Sequence, residues 1–460
     1  MPNTKIAAKK TPIEAASTKT KPVEAIACHC CDLILEIPPL EPGRKAHCPR
    51  CGHLLSSSKA FAFDKACAYA FSALVFLLLS LPFPFLAFQS QGREQQVSLL
   101  QSGYDLVLLG FPVLALLLTL FILFIPALLL SCYLAVLLPL RGGHAFSWMY
   151  RLTRFLFTLH PWGMAEVFLI GVLVSLVKIA GMADLVIGMS FWAYVLFAFF
   201  LTLTITSVDK LQLWQALDRG AKIKRAFPPS LQASQPSSAL TQGLQSCHHC
   251  ALLHHQQQSY CDRCGGKLHT RMPFSLQKTW AYLITSILLY FPANLYPIMH
   301  TTLLGSDEPS TILGGVLTLW QHGSYPIALV IFFASIVIPI GKMLVLFWLA
   351  LTVQSGQQHR IEERVWMYRI TELIGRWSMI DVFVVAVLVA LVQLGGLINV
   401  QPGLATVAFA GVVILTMLSA MSFDPRLIWD NLNQREMTAI NQGQEPLNDL
   451  LDETDPICQK

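Results

Sequence analysis

Eight of the chain's 12 cysteines fall into four Cys-x-x-Cys pairs, grouped as two clusters. The first cluster reads Cys28-His-Cys-Cys31 and, 16 residues on, Cys48-Pro-Arg-Cys51-Gly. The second reads Cys247-His-His-Cys250 and, ten residues on, Cys261-Asp-Arg-Cys264-Gly. Two such hooks joined by a short loop can set four thiolates tetrahedrally around one ion. The glycine after the last cysteine lets the knuckle backbone turn its amides toward the sulfurs. This zinc-ribbon pattern, met twice, predicts two structural zinc ions, because four thiolates leave no open coordination position. The ligands would be Cys28, Cys31, Cys48 and Cys51 in one ribbon, and Cys247, Cys250, Cys261 and Cys264 in the other. A single iron of the rubredoxin type suits the same knuckles. Disulfides compete as well, but a cytoplasmic position, argued below, disfavours them. Cys30 offers an alternative register, and Cys28 with Cys31 gives the regular spacing. His29, His47, His53, His248 and His249 read as exposed ribbon residues. A ribbon of ~25 residues has little core, so its metal supplies most of its stability. No basic surface with interleaved aromatics accompanies the ribbons, so no nucleic-acid partner is expected.

The elements that carry these clusters are membrane spans. The 460 residues are 54% hydrophobic and only 13% charged. Soluble domains carry roughly 25% charged residues, so a soluble globule and a disordered chain are both excluded. A crossing helix needs ~20 apolar residues. Eight stretches qualify: 67–88, 112–140, 162–183, 186–207, 279–300, 326–351, 377–397 and 404–422. Pro126 lies inside the second, which is long enough to kink. Segments 1–66, 141–161, 209–279 and 352–376 hold 26 of the 32 Lys and Arg residues, and the alternate loops hold almost none. Both termini and both cysteine clusters are therefore expected in the cytoplasm. No signal-peptide pattern precedes the first span.

The chain also repeats itself. Residues 162–214 align without a gap to 377–429, an offset of 215. Trp162-x-Met164-x-Glu166-Val-Phe168 matches Trp377-x-Met379-x-Asp381-Val-Phe383. Ser207-x-Asp209 and Trp214 match Ser422-x-Asp424 and Trp429, and Asp184 falls opposite Asn399. Trp148-Met-Tyr-Arg151 recurs as Trp366-Met-Tyr-Arg369, and Pro126 as Pro339. Four spans per half leave the halves in the same orientation, a parallel repeat of the kind that forms an interface cavity. The expected fold is thus an all-α polytopic membrane protein of two parallel four-helix repeats, each preceded by a cytoplasmic zinc ribbon. The expected units are a disordered tail (1–25), ribbon 1 (26–58), repeat 1 (59–214), a linker (215–245), ribbon 2 (246–270), repeat 2 (271–429) and an acidic tail (430–460).

Charges inside spans are costly and usually line cavities or pair. Lys178 either pairs with Asp184 or snorkels to the outer interface. Lys342, mid-span after Pro339 and Gly341, cannot easily snorkel, so a cavity or counter-ion is expected. Glu166 and Asp381, at matched positions, either cap helix starts or accept protons from a cavity. Pro292-Ala-Asn294-Leu-Tyr-Pro297 and Pro82-Phe-Pro84 interrupt their spans and free backbone carbonyls. Thr202, Thr204 and Thr206 read as back-bonded helix residues. No Walker A, nucleophile elbow or HExxH sequence is present, so no enzyme activity is expected.

Together the ribbons, Phe274-Ser-Leu-Gln-Lys-Thr-Trp280, Pro292-Ala-Asn-Leu-Tyr-Pro297, Ile338-Pro-Ile-Gly-Lys342 and Gly375-Arg-Trp-Ser-Met-Ile-Asp381-Val-Phe383 resemble the paraquat-inducible protein A family. These are integral membrane proteins of Gram-negative bacteria, and the resemblance covers roughly 26–432. It implies an inner-membrane protein, set in a phospholipid membrane, that works with a periplasm-spanning MCE-domain partner to move lipid between the inner and outer membranes. It also makes Lys178, Asp184, Lys342 and Asp381 better candidates for a central polar network or cargo contact, beside Glu166 and Asn294 from the residues themselves. An anchor that senses metal or redox state without moving lipid is the second reading. The doubled Cys30-Cys31 and Pro82-Phe-Pro84 depart from the family pattern.

Overall fold

The computed structural model describes residues 24–37, 40–90, 93–108, 110–179, 184–223, 237–303, 306–321, 323, 325–357, 360–391, 393–394, 398–430 and 432. The expected tails lie almost entirely outside the described residues, as does the middle of the linker, 224–236.

Three of the CxxC hooks occupy turns between short strands, and the fourth, Cys261–Cys264, is closed by an isolated bridge between Tyr260 and Lys267. β1 (Glu24–Ala27) pairs with β2 (Ile34–Ile37) around Cys28 and Cys31, and β3 (Lys45–His47) with β4 (Leu54–Ser57) around Cys48 and Cys51. In ribbon 2, β8 (Leu244–Ser246) pairs with β9 (Leu253–His255) around Cys247 and Cys250.

Ribbon 1 leads into α1 (Ala62–Leu79), β5 (Leu86–Ser90), β6 (Arg93–Val97), α2 (Leu99–Leu108), α3 (Pro112–Thr119) and α4 (Ile125–Arg141). Next come α5 (Ser147–Leu159), α6 (Ala165–Ile179), β7 (Asp184–Ile187), α7 (Met189–Ser207) and α8 (Lys210–Gly220). Helix α8 therefore occupies the first residues of the stretch expected to be linker. Ribbon 2 leads into α9 (Ser275–Leu295), β10 (Met299–Leu303), β11 (Ser306–Ser310), α10 (Ile312–Gln321), α11 (Tyr325–Phe332) and α12 (Ile338–Gln354). The chain closes with α13 (Ile361–Gly375), α14 (Ile380–Leu391), β12 (Gln393–Leu394), β13 (Ile398–Pro402) and α15 (Leu404–Ser422). The same order of helices and strands thus recurs in the two halves.

Among the described residues, six helical stretches are long and apolar enough to cross a membrane: Ala62–Leu79, Pro112–Arg141, Ser147–Leu176, Met189–Ser207, Ala328–Gln354 and Leu404–Ser422. Their surfaces carry exposed Phe71, Leu128, Phe199 and Leu344, as a lipid-facing wall requires.

The all-α expectation needs one correction. The spans expected at 67–88, 186–207, 279–300 and 377–397 each lose an end to a strand. The strands form two small antiparallel sheets, ordered β6-β5-β7 and β11-β10-β13-β12, at the helix ends remote from the ribbons. Their residues (Leu86-Ala-Phe, Asp184-Leu-Val-Ile) are as apolar as the helices, so hydropathy cannot mark the change. Proline can: Pro82 and Pro84 lack the amides that would extend α1 past Leu79.

The two sheets are built alike. Leu86 pairs with Ile187 in one, and Met299 with Pro402 in the other. At each junction a glycine meets a carbonyl. A Cβ on Gly188 would lie 2.0 Å from the Pro84 oxygen, and one on Gly403 would lie 2.0 Å from the Pro297 oxygen. Backbone cannot yield as a side chain can. Gly403→Ala should therefore cost about 1–3 kcal/mol and lower the melting temperature of the purified protein. Gly411→Ala meets only the Leu289 Cδ1, at 3.2 Å, and should shift it far less. Equal shifts would refute this account.

Pro126 and Pro339 each stand second in the helix that continues their span. Each follows a five-residue π-turn, Leu120–Phe124 or Phe333–Val337, in which the Ile125 amide reaches the Leu120 carbonyl and the Ile338 amide the Phe333 carbonyl. The wider turn makes room for a residue that cannot donate.

The halves meet where α6 packs on α14. Phe168 and Phe383, partners in the repeat, touch edge to face at 5.7 Å. Gly171 lets α14 approach so closely that a Cβ there would lie 3.1 Å from the Phe383 Cβ. The Ser175 hydroxyl donates to Gly171 and Val384 carbonyls. The expected interface cavity is therefore not on this axis. A pocket beside it, lined by Leu86, Leu118, Ile122, Phe168 and Tyr194 of the first half, takes Val387 from the second.

Candidate functional site

The knuckles bring the predicted cysteines together. Cys28, Cys31, Cys48 and Cys51 form one set and Cys247, Cys250, Cys261 and Cys264 another, all sulfurs within 4.8 Å of one another. The closest pairs are 3.5 Å in ribbon 1 and 3.4–3.6 Å in ribbon 2. Tetrahedral bonds of about 2.3 Å to zinc place sulfurs about 3.8 Å apart, so both sets fit a four-thiolate ion. The geometry selects Cys28 and Cys31 as the hook and leaves Cys30 outside the set.

The residue after each hook takes the left-handed conformation: Asp32 (φ 63), Gly52 (φ 65), Ala251 (φ 59) and Gly265 (φ 65). Its amide then bonds back to the first cysteine's carbonyl, as Gly52 does to Cys48 at 2.8 Å. Asp32 holds this strained position because its carboxylate is used. It sits 3.0 Å from Arg271 and 4.0 Å from Arg426, 1% exposed. Burial pushes its pKa up, against the pull of both arginines.

Crowding divides the thiols alike in both sets: hydrogen bonds from neighbouring thiols, led by Cys28 and by Cys247, hold Cys31 and Cys250 toward the neutral form. Hydrogen bonds from the neighbouring thiols, led by Cys28, push Cys51 far toward thiolate, and those led by Cys247 do the same for Cys261. His254, which sequence reasoning missed, is buried with its Nε2 3.3 Å from the Cys261 sulfur and its Nδ1 2.7 Å from Gln258. Nothing in the linear spacing of Leu253-His254-His255 distinguishes it from its neighbour.

The cysteine-bearing tips dock crosswise. Ribbon 1 packs Cys28, Cys31 and Cys48 against Val365, Tyr368 and Trp429 of the second half. Arg369 of α13 donates to the Cys51 carbonyl at 2.7 Å, and Arg50 stacks over Trp429. Ribbon 2 packs on the first half. Arg154 of α5 donates to the Cys264 carbonyl at 3.3 Å, and Arg263 pairs with buried Asp218 of α8 at 2.7 Å. The stems stay with their own halves: Asp209 holds the Ser57 amide and Asp424 the Met272 amide. Arg154 and Arg369 stand at the common offset of 215. The repeated Trp-Met-Tyr-Arg tetrapeptide had instead matched Arg151 to Arg369, three residues out of register.

In the membrane region Lys342 is 4% exposed. Its Nζ lies 3.1 Å from the Ser378 hydroxyl and 3.0 Å from that of Thr416. The repeat places Leu129, Gly163 and Leu201 at the corresponding positions of the first half. A Cβ on Gly163 would lie 3.0 Å from the Leu129 Cδ1, so the correspondence is spatial as well as sequential. One half carries a polar triad where the other is apolar.

The remaining candidates do not join this triad in what is described. Glu166 accepts a hydrogen bond from Thr202 at 2.7 Å, tying α6 to α7. Thr202, Thr204 and Thr206 each bond back to a carbonyl four residues earlier. Asn294 donates to the Tyr290 carbonyl of its own helix. Lys178 lies on α6, Asp184 opens β7 and Asp381 is the second residue of α14. The side chains of these three lie outside the described residues. Cys67 and Cys132 are buried in the main apolar core.

Comparison with known proteins agrees with this duplicated plan. The profile of the paraquat-inducible protein A family matches twice, over residues 63–218 and again over 276–433. Intermembrane transport protein PqiA of Escherichia coli K12 is 41% identical over 412 residues, 89% of this chain and 97% of that one. A probable intermembrane transport protein of Haemophilus influenzae is 30% identical over 89% of this chain and 96% of its own. Lipophilic envelope-spanning tunnel protein A of E. coli is 27% identical, over 88% and 90%. No solved structure matches the chain. With both halves matched, and one relative aligned over nearly its whole length, this membrane protein belongs to the paraquat-inducible protein A family.

Proposed function

We propose that the chain is the inner-membrane subunit of a lipid trafficking system, passing phospholipid to or from a periplasmic MCE-domain partner. In this reading two parallel repeats of four spans stand in the membrane, with ribbons and both termini in the cytoplasm. Helix α9 and the short α14 complete the count, and the two sheets face the partner. Zinc fills both four-cysteine sets and works structurally, fixing each ribbon tip on the opposite half. The chain has no catalytic role. The unit boundaries expected from the sequence belong to this reading too.

The observation that carries the proposal is the buried Lys342 with Ser378 and Thr416. A charge held in the membrane region is costly unless it has a use. Its absence from the first half supports a use beyond the scaffold. Asp381 follows Ser378 by one helical turn, which suits it as the counter-charge, with Lys178 and Asp184 as a second pair near the outer face. The relatives' names, intermembrane transport protein and lipophilic tunnel protein, support the choice of cargo.

A photo-crosslinker at Val387, in the apolar pocket between the halves, should capture a phospholipid that stays bound through detergent exchange. The same group at lipid-facing Leu344 should lose its lipid. Equal, exchangeable labelling at both would reject a cargo path through the protein.

A further inference from the structure

Both ribbons carry an arginine at the same place in their second knuckle, Arg50 in Cys48-Pro-Arg50-Cys51 and Arg263 in Cys261-Asp-Arg263-Cys264. In ribbon 2 the half it docks on supplies the anion. Arg263 is 5% exposed and reaches the Asp218 carboxylate of α8 at 2.7 Å. The second half has no carboxylate at the matching position, because the offset of 215 puts Asn433 opposite Asp218. Arg50 lies over the Trp429 ring, 4.5 Å from its centre, on the wall of a crevice between ribbon 1 and α13. Two more donors belong to that crevice. Arg369 Nε and Trp429 Nε1 are buried atoms with no acceptor among the described residues, and both side chains line it. An unmet buried donor is costly, so an acceptor that enters here is favoured. Trp214, the counterpart of Trp429, also leaves its indole nitrogen unmet, but it is sealed at 0% exposed. The crevice has an acidic end as well. Glu362 and Glu363 line it from the start of α13. Seven residues of helix, about 10 Å, separate Glu362 from Arg369.

We propose that this crevice binds a carboxylate, and that the chain's own acidic C-terminal segment supplies it. The described residues run out at Leu432, three positions past Trp429 on the crevice wall. Residues 433–460 carry six carboxylate side chains against Arg435 and Lys460. Asp430 is already held by Arg271, at 3.0 Å, so the next carboxylate along the chain is Glu436. Seven residues reach at most about 25 Å, which keeps Glu436 within range of Arg50 and Arg369. Arg435, beside it, matches the acidic end formed by Glu362 and Glu363. A short tether also holds the group at an effective concentration of order 1 mM, so a contact that is weak between separate molecules is filled within one. Seated there, Glu436 clamps ribbon 1 to α13 as Asp218 clamps ribbon 2 to α8.

The experiment uses the full chain in detergent micelles, with a benzophenone amino acid in place of Trp366. That side chain lines the crevice and is 62% exposed. Illumination should join position 366 to residues between 433 and 440. Mixing isotope-labelled with unlabelled chains should show that both ends belong to one molecule. Glu436→Gln should cut the yield at least about fivefold, as loss of a hydrogen bond to a charged group does. Glu436→Asp should keep most of it. Ionic strength near 1 M, where the screening length falls to about 3 Å, should cut it too. A chain ending at Leu432 should lose the crosslink. A synthetic peptide of 431–446 at millimolar concentration should restore it, and the same peptide with Glu436→Gln should not. Three results would overturn the proposal: crosslinks that fall on a second copy or on phospholipid, equal yields with and without the Glu436 carboxylate, or a peptide that restores nothing.

Discussion

Cys261→Ser is expected to unfold ribbon 2 and to loosen the first half of the chain rather than the second. The ribbon has three-residue strands and almost no core, so under the proposed zinc loading most of its stability would be the free energy of metal binding, about 10–16 kcal/mol at structural zinc sites. Replacing one thiolate by a hydroxyl removes a ligand and leaves His254 against a group it was not placed to meet. Once the tip unfolds, Arg154 loses the Cys264 carbonyl and Asp218 loses Arg263. Breaking a buried pair from one side costs roughly 3–5 kcal/mol, and that loss falls on α5 and α8. Amide exchange should therefore rise by at least about tenfold, equivalent to about 1.4 kcal/mol, over 147–159, with 361–375 little changed. Cys48→Ser in ribbon 1 should give the reverse pattern, because its tip rests on Arg369 and Trp429. Chelation of both ions should expose both regions at once. Exchange that rises only in the half following each ribbon in sequence would show that the crossed docking is absent.

This prediction depends on features of unequal legibility. The four-cysteine sets were readable because thiolates that could share one ion demand a local spacing that a linear chain displays. The repeat was readable because both halves solve one packing problem, which fixes Phe168 with Phe383, Trp214 with Trp429 and Asp209 with Asp424. The crossing was not readable. Arg154 and Arg369 are two arginines among many, and the ribbon carbonyls they bind carry no side-chain signature. The sheets escaped for another reason. Strand and span ends here share one apolar alphabet, and only Pro82, Pro84, Gly188 and Gly403 mark the change. Lys342 was legible as an anomaly in an apolar run. Its partners were not, since Ser378 and Thr416 are ordinary residues until the fold brings three helical segments together.

Lys342→Met should leave the protein folded and stop its work. Methionine matches the lysine stem in length and removes a charge that only two hydroxyl groups serve among the described residues. Buried charges replaced by apolar groups of similar volume are often neutral or stabilising, by about 1–4 kcal/mol. The first half shows the outcome directly, because Leu129 fills the same place, 0% exposed, over Gly163. The melting temperature should therefore hold or rise. Growth of a deletion strain under envelope stress, and capture of phospholipid at Val387, should fall to the level of the empty vector. The mirror change, Leu129→Lys, should do the opposite. It places an ammonium against Gly163 and Leu201, where no hydroxyl waits, at a cost of roughly 2.5–3.5 kcal/mol for a charge at the centre of a span. A chain harmed in stability by Leu129→Lys and in function by Lys342→Met would separate scaffold from mechanism within one duplicated fold. Full complementation by Lys342→Met, with lipid still captured, would remove this residue from the mechanism. The buried cation would then be a structural relic of the divergence between the halves.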